Sequence, residues 1–214
     1  MTKRKFTCFF LLGIFMSGLV TEAQPYTMKG RSCIELNLGL WHESKAGNES
    51  GISGMISIAK TNGFIGGLSY NYWLQEYLSV TIAAGVLAAE ATSSMTLRGM
   101  SQQASSVIPI LLGVRYYVPK PSTDDQARPF LAVAVGPFMG FEAENSLSRQ
   151  GTRSETSLGL RLGGGIDILV SQDFKLGANV GYSLMTDYST PIGARRNYNG
   201  PDFSLGFGII FGGP

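Results

Sequence analysis

The end of the chain alternates large apolar residues with very small ones. Residues 203–211 place Phe, Leu, Phe, Ile and Phe at odd positions and Ser, Gly, Gly and Ile at even positions. A period of two indicates a β-strand. The second face is tiny rather than charged, which suits the crowded interior of a narrow barrel whose large residues face lipid. The pattern predicts a membrane-spanning strand of a closed barrel.

Seven further segments have one apolar face: 33–42, 64–74, 77–88, 106–118, 128–142, 156–170 and 174–185. Each has about ten residues or more, which is enough to cross a bilayer when tilted. Lipid leaves no water for an unpaired sheet edge, so the strands must close on themselves. The expected fold is all-β: a closed eight-stranded antiparallel up-and-down transmembrane β-barrel over residues 33–214, preceded by a cleaved signal peptide.

The start of the chain predicts export. Lys3, Arg4 and Lys5 precede an apolar stretch at 6–20 and small residues at 21–23, the arrangement of a secretory signal peptide over 1–23. Residues 24–32 are then a short periplasmic segment. Without the leader the chain has equal numbers of basic and acidic residues. That balance argues against nucleic-acid binding, which needs a basic patch.

The predicted connections alternate in length along the chain. Short or compact ones lie at 75–76, 119–127 and 171–173, whereas long ones lie at 43–63, 89–105, 143–155 and 186–201. Bacterial outer-membrane barrels have short periplasmic turns and long extracellular loops. The asymmetry predicts an integral outer-membrane protein with both termini on the periplasmic side.

Aromatic residues on the outward parity gather near the strand ends. Such bands are expected where a barrel wall crosses the membrane–water interfaces. Those near the short-turn end are Tyr72, Tyr116, Phe174 and Phe211, and those near the long-loop end are Phe64, Phe141 and Phe203. We interpret these seven as two interfacial girdles.

Four stretches resemble the eight-stranded OmpA/OmpX-type outer-membrane barrels. They are 113–119 (Gly-Val-Arg-Tyr-Tyr-Val-Pro), 128–136 (Arg-Pro-Phe-Leu-Ala-Val-Ala-Val-Gly), 162–168 (Leu-Gly-Gly-Gly-Ile-Asp-Ile) and the closing 203–211. The resemblance spans essentially the whole mature chain. It implies a monomer that contacts outer-membrane lipids and lipopolysaccharide, and that the barrel-assembly machinery inserts. It implies no cofactor and no metal.

Five charged residues lie on the small, inward face: Glu35, Arg115, Arg161, Asp167 and Lys175. Charges inside a narrow barrel must be paired, because an isolated buried charge costs several kcal/mol. We therefore expect a salt-bridge network that plugs the lumen, with Asp167 facing Lys175 across the sixth and seventh strands. Eight strands leave no room for a wide channel, although a narrow pore for ions or small solutes remains an alternative.

The only histidine, His42, is followed two residues later by Ser44. A histidine that activates a serine is sound chemistry for a lipid-modifying enzyme, which is a less favoured alternative. A soluble lipocalin-like barrel with its apolar face inside is another. The favoured hypothesis is a non-enzymatic outer-membrane barrel with a structural, surface-interaction or adhesion role through its loops.

Overall fold

A computed structural model describes residues 27–42, 62–96, 99–119, 126–146, 149–193 and 195–213. The predicted signal peptide over 1–23 lies outside these ranges. The strands are β1 (Ser32–His42), β2 (Asn62–Gln75), β3 (Leu78–Thr96), β4 (Gly99–Tyr117), β5 (Ala127–Ser146), β6 (Arg149–Leu169), β7 (Phe174–Met185) and β8 (Gly200–Phe211). They form a closed barrel in sequence order, which confirms the predicted eight-stranded antiparallel architecture.

Closure joins the first strand to the last. Leu36 of β1 is paired with Leu68 of β2 on one side and with Phe207 of β8 on the other. Every neighbouring pair of strands is antiparallel, so no sheet edge is left open within the barrel wall. Register shifts occur at Trp73/Gln75 and at Ala88/Glu90. Such irregularities increase local twist and help a sheet to curl into a barrel.

Most large apolar side chains of the wall point outward and the small ones point inward, as the sequence predicts. Leu131, Leu158 and Ile209 expose more than 60% of their surface, whereas Gly177, Gly206 and Gly208 are buried. A water-soluble barrel would have the opposite arrangement, because its exterior must be polar. The lipocalin-like alternative is therefore wrong.

The described part of the chain contains no helix with the length and hydropathy of a membrane-spanning segment.

Two predicted long loops are wrong. Residues 89–105 and 143–155 belong mostly to strands, because β3 and β4 stay paired as far as Thr96 and Gly99, and β5 and β6 as far as Ser146 and Arg149. The strands were predicted from their apolar face, and a strand needs an apolar face only where it contacts lipid. Backbone pairing does not need apolar side chains, so these hairpins continue beyond that point.

The barrel has two distinct ends. We call one the turn end; it carries both described termini and the connections β2–β3, β4–β5 and β6–β7. The other, the hairpin end, carries the extended β3–β4 and β5–β6 hairpins and the β7–β8 connection. β1 begins at Ser32, which pairs with Tyr72 of β2 and with Phe211 of β8.

Candidate functional site

Four of the five predicted interior charges come together inside the barrel near the turn end. Lys175 Nζ lies 2.6 Å from Glu35 Oε2 and 2.7 Å from Asp167 Oδ2. Arg115 Nη1 lies 3.0 Å from the same oxygen of Glu35. We call Glu35, Arg115, Asp167 and Lys175 the lumen quartet. All four are buried, so the two cations and two anions compensate one another where solvent cannot.

The quartet links four different strands, β1, β4, β6 and β7. The sequence predicts that Asp167 faces Lys175, but the two residues are not directly opposite. The register pairs Asp167 with Gly177 and Lys175 with Leu169. The long lysine side chain covers this diagonal offset. Tyr117 on β4 completes the cluster by donating its hydroxyl to Asp167 Oδ2 at 2.9 Å. The ion pairs therefore join Glu35 to strands that are not its neighbours, and Asp167 to Lys175 on the adjacent strand.

Inward glycines on β8 leave room for these long side chains. A Cβ at Gly206 would lie 2.7 Å from Glu35 Oε1, and a Cβ at Gly208 would lie 2.8 Å from Lys175 Cε. Contacts this short force a neighbour to move. The small inward residues of β8 therefore leave the space that the charged side chains of other strands occupy.

The fifth predicted charge, Arg161, lies outside the quartet. Its guanidinium forms a separate ion pair with Asp202, and Arg161 Nε lies 3.0 Å from Asp202 Oδ2. Asp202 is not among the predicted interior charges, because the predicted last strand begins at residue 203. Parity would have found it, since Asp202 lies on the same inward face as Ser204 and Gly206.

Aromatic side chains fill the lumen beside the quartet at the turn end. Trp73, Tyr117 and Phe130 are each at most 4% exposed, and neighbouring ring centroids are 5.5–6.0 Å apart. Lys175 Nζ lies 5.9 Å from the Trp73 ring and Arg115 Cζ lies 4.9 Å from the Phe130 ring. Cation–π attraction therefore couples the aromatic cluster to the ion pairs.

The residues before β1 close over this cluster. The Met28 side chain is 1% exposed, and its amide donates to Glu76 Oε2 at 2.8 Å. Gly30 has a φ of 80°, which lets the chain turn so that its amide reaches the Trp73 carbonyl. Arg31 then bonds to Asp173 and to the Gly212 carbonyl. We call Met28, the three aromatics and the quartet the turn-end plug.

The hairpin end is blocked by the β7–β8 connection. The sequence predicted 186–201 to be an extracellular loop, but Tyr188, Ile192 and Tyr198 are each at most 1% exposed inside the barrel mouth. They pack against Trp41, Phe138 and other inward residues of the wall. Burial raises the pKa of the Tyr188 hydroxyl above its usual range, and the nearby Tyr198 contributes. Both the loop and the wall therefore contribute to closing this end.

A cavity of about 130 Å³ lies between the two closures. Trp41, Leu111 and Phe138 contribute to its apolar lining, whereas Arg115 and Arg161 are among its polar lining residues. The cavity is thus bounded by both ion-pair clusters and by the aromatic cluster of the hairpin end.

The seven predicted girdle residues all point outward. Six are exposed and Phe174 is partly buried. Register joins three of them around the barrel. Phe64 and Phe203 both pair with Leu40, Phe64 and Ser106 both pair with Ala88, and Ser106 pairs with Phe141. Their interfacial role stays a prediction.

His42 is exposed and has the outward parity of Leu40, whereas Ser44 lies outside the described residues. The predicted catalytic pairing is therefore not tested. Within the described ranges, no group of three His, Cys, Asp or Glu side chains could hold a metal ion.

The family is shown by comparison with known proteins. Residues 12–211 match the model of the outer membrane protein beta-barrel domain. The chain belongs to this family. As a member of it, the protein is an integral outer-membrane barrel, which confirms the predicted location. No curated protein matches the chain.

Several solved outer-membrane barrels share the fold of this family member. Ail, the attachment invasion locus protein of Yersinia pestis, in complex with the heparin analogue sucrose octasulfate, is 16% identical with a TM-score of 0.57; the alignment covers 86% of this chain and 100% of that one. Neisserial surface protein A is 13% identical with a TM-score of 0.57, covering 86% and 98%. OprG from Pseudomonas aeruginosa is 15% identical with a TM-score of 0.56, covering 89% and 100%. At these identities the likeness shows the fold alone.

Proposed function

We propose that this protein is a non-enzymatic outer-membrane barrel with a closed lumen, and that it acts through its exterior and its hairpin end. The observation that carries the proposal is the burial of side chains at both ends of the lumen. Lys175 and Trp73 are each 1% exposed at the turn end, and Tyr188 and Tyr198 are each 1% exposed at the hairpin end. A solute would have to displace both groups to pass.

The extended hairpins supply the surface for such a role. β3 to β6 are 19–21 residues long, whereas β1, β2, β7 and β8 are 11–14 residues long. The additional length projects from one side of the barrel at the hairpin end. Outward residues there, such as Thr152 and Ser154, are polar and exposed, which suits water and not lipid. This projecting sheet is where we propose that a partner is contacted.

The similar structures support a surface role without defining it. Ail is named an attachment and invasion protein and was crystallised with a heparin analogue, and the neisserial relative is named a surface protein. We propose that this chain likewise presents its hairpin end to the outside, with the turn end in the periplasm. Insertion by the barrel-assembly machinery after cleavage at 1–23, contact with lipopolysaccharide, aromatic girdles and a monomeric state are parts of the same proposal.

Planar-bilayer recording of the refolded protein tests the closed lumen. We expect the native protein to give no steady single-channel steps. A combined variant that truncates both closures, Trp73→Ala with Tyr117→Ala at the turn end and Tyr188→Ala with Tyr198→Ala at the hairpin end, should conduct and so shows that the assay detects an open lumen. Stable native conductance close to that of this variant would favour the narrow-pore alternative instead.

A further inference from the structure

The two closures of the lumen are built differently. The turn-end plug consists of Met28 and of side chains from β1, β2, β4, β5, β6 and β7, and its ion pairs join β1 to β4, β1 to β7 and β6 to β7. Among the described residues, the hairpin-end closure depends mainly on the β7–β8 connection, described over 186–193 and 195–199, which folds into the mouth. Strand side chains cannot leave the lumen without opening the barrel, whereas a connection can move as a unit. The two closures therefore differ in how easily they could be displaced.

The described hydrogen bonds of this connection lie mostly within it and at its base. Tyr188 donates its amide to the Arg196 carbonyl at 2.6 Å, Ile192 donates to the Arg195 carbonyl at 2.8 Å, and the Tyr198 hydroxyl donates to the Ile192 carbonyl at 2.6 Å. These bonds hold the two sides of the connection together.

Two described hydrogen bonds join the interior of the connection to β5. The Tyr188 hydroxyl donates to the Phe138 carbonyl at 3.2 Å, and the Gly193 amide donates to Glu142 Oε2 at 3.3 Å. Apolar packing supplies the other contacts: a Cβ at Gly140 of β5 would lie 2.8 Å from Ile192 Cγ1. The wall of β5 thus forms a fitted seat for Ile192.

The connection contributes to the lining of the cavity. Tyr198 lines the cavity of about 130 Å³, as does Trp41, and the two rings are 5.9 Å apart. Arg195 Cζ lies 5.5 Å from the Trp41 ring. Lifting the connection would remove these covers and expose Trp41 and the cavity to the hairpin end.

We propose that residues 186–199 form a lid that opens the interior cavity toward the hairpin end while the turn-end plug stays closed. The inference rests on the closed lumen proposed above and adds a moving part to it. The lid opens as a unit hinged near Met185 and Gly200, where β7 ends and β8 begins. Open and closed states then differ in access to the cavity and not in conduction across the membrane.

Iodide quenching of tryptophan fluorescence tests the lid, because the chain has only two tryptophans, one at each closure. In a Trp73→Phe background, Trp41 reports on the lid alone. We expect weak but measurable quenching in the native lid. Tyr188→Phe, which removes the hydroxyl bonded to Phe138, should raise the quenching constant roughly fivefold, the population change that loss of one ordinary hydrogen bond produces. Ile192→Ala should also raise it.

A reversible disulfide between the lid and β5 should lower the quenching of Trp41. Gly140→Cys with Ile192→Cys places two thiols at the seat, where a disulfide should hold the lid down and abolish Trp41 quenching until it is reduced. The matched control is Trp41→Phe, whose remaining Trp73 should be insensitive to every lid variant. If the native and locked proteins are quenched equally, the connection is a fixed part of the wall and the lid is excluded. That result leaves the bilayer test of the closed lumen unaffected, so the two proposals can fail separately.

Discussion

Individual residues inside the barrel depend strongly on one another. Glu35 accepts hydrogen bonds from both Arg115 and Lys175, and Lys175 also donates to Asp167. The charge of each member of the lumen quartet is therefore compensated only while the others are present. Removing one partner of a buried pair leaves an uncompensated charge, which costs more than the pair itself contributes. The interior glycines belong to the same arrangement, because they leave the volume that these side chains occupy.

Replacing Lys175 by methionine should strongly destabilise the barrel. The variant keeps the volume of the side chain but leaves Asp167 without its cation, and we expect a loss of about 3 kcal/mol or more. Urea unfolding in lipid vesicles measures the change. Lys29→Met, an exposed lysine at the same end, is the control and should not move the midpoint. Equal midpoints for the two variants would contradict the proposed role of the quartet.

Gly206→Ala should also be destabilising, by about 1–3 kcal/mol, since the new methyl group lies 2.7 Å from Glu35 Oε1. The same vesicle assay applies. Gly151→Ala is the matched control, because no atom lies within 4 Å of its added Cβ. A neutral effect at Gly206 would mean that the carboxylate can move away and that the quartet is less tightly held than its distances suggest.

At the scale of elements, strand length is the main departure from the sequence expectation. The apolar alternation correctly located all eight strands and matched β7 residue for residue, but it ended β3 and β5 too early and began β4 and β6 too late. Residues 89–105 and 143–155 show no regular alternation of large apolar residues with small ones, so no hydrophobic pattern distinguishes a hairpin from a loop there. Whether such a segment forms a strand depends on the neighbouring strand with which it pairs, and the sequence does not show that partner.

Hydrogen exchange distinguishes a hairpin from a loop in these regions. Residues 102–105 of β4 and 142–145 of β5 are paired with each other and lie between β3 and β6, so we expect their amides to exchange slowly. Residues 90–96 of β3 and 150–156 of β6 have one strand partner each among the described residues, and should show protected and unprotected amides in alternation. Fast exchange throughout 89–105 and 143–155 would instead support the original loop assignment.

At the scale of the whole molecule, the barrel is arranged inside out relative to a soluble protein. Most large apolar side chains of its wall face outward and the charges of the lumen quartet are buried, an arrangement that is stable only if lipid surrounds the wall. The family match and the solved relatives agree with this arrangement. Closure of the sheet removes the strand edges that lipid could not satisfy.

Phe207 lies midway between the predicted girdle residues Phe203 and Phe211 on the outward face of β8, and is 46% exposed. Phe207→Arg should cost about 2–4 kcal/mol in a bilayer, the usual effect of a cation near the midplane of a barrel wall. Phe207→Leu is the control, with little expected change. Unfolding midpoints in vesicles provide the measurement; tolerance of arginine would indicate that this face does not meet the hydrocarbon core.

The sequence is enough to predict the number of strands, the face of most wall residues and the closure of the sheet. These follow from a local period of two and from the need to satisfy every backbone group in lipid. The pairing of the charges depends on the fold, since the partners of Glu35 lie 80 and 140 residues away and meet through the register around the barrel. The position of the β7–β8 connection in the mouth also depends on the fold, because packing against Phe138, Gly140 and Trp41 has no signature in the connection's own sequence.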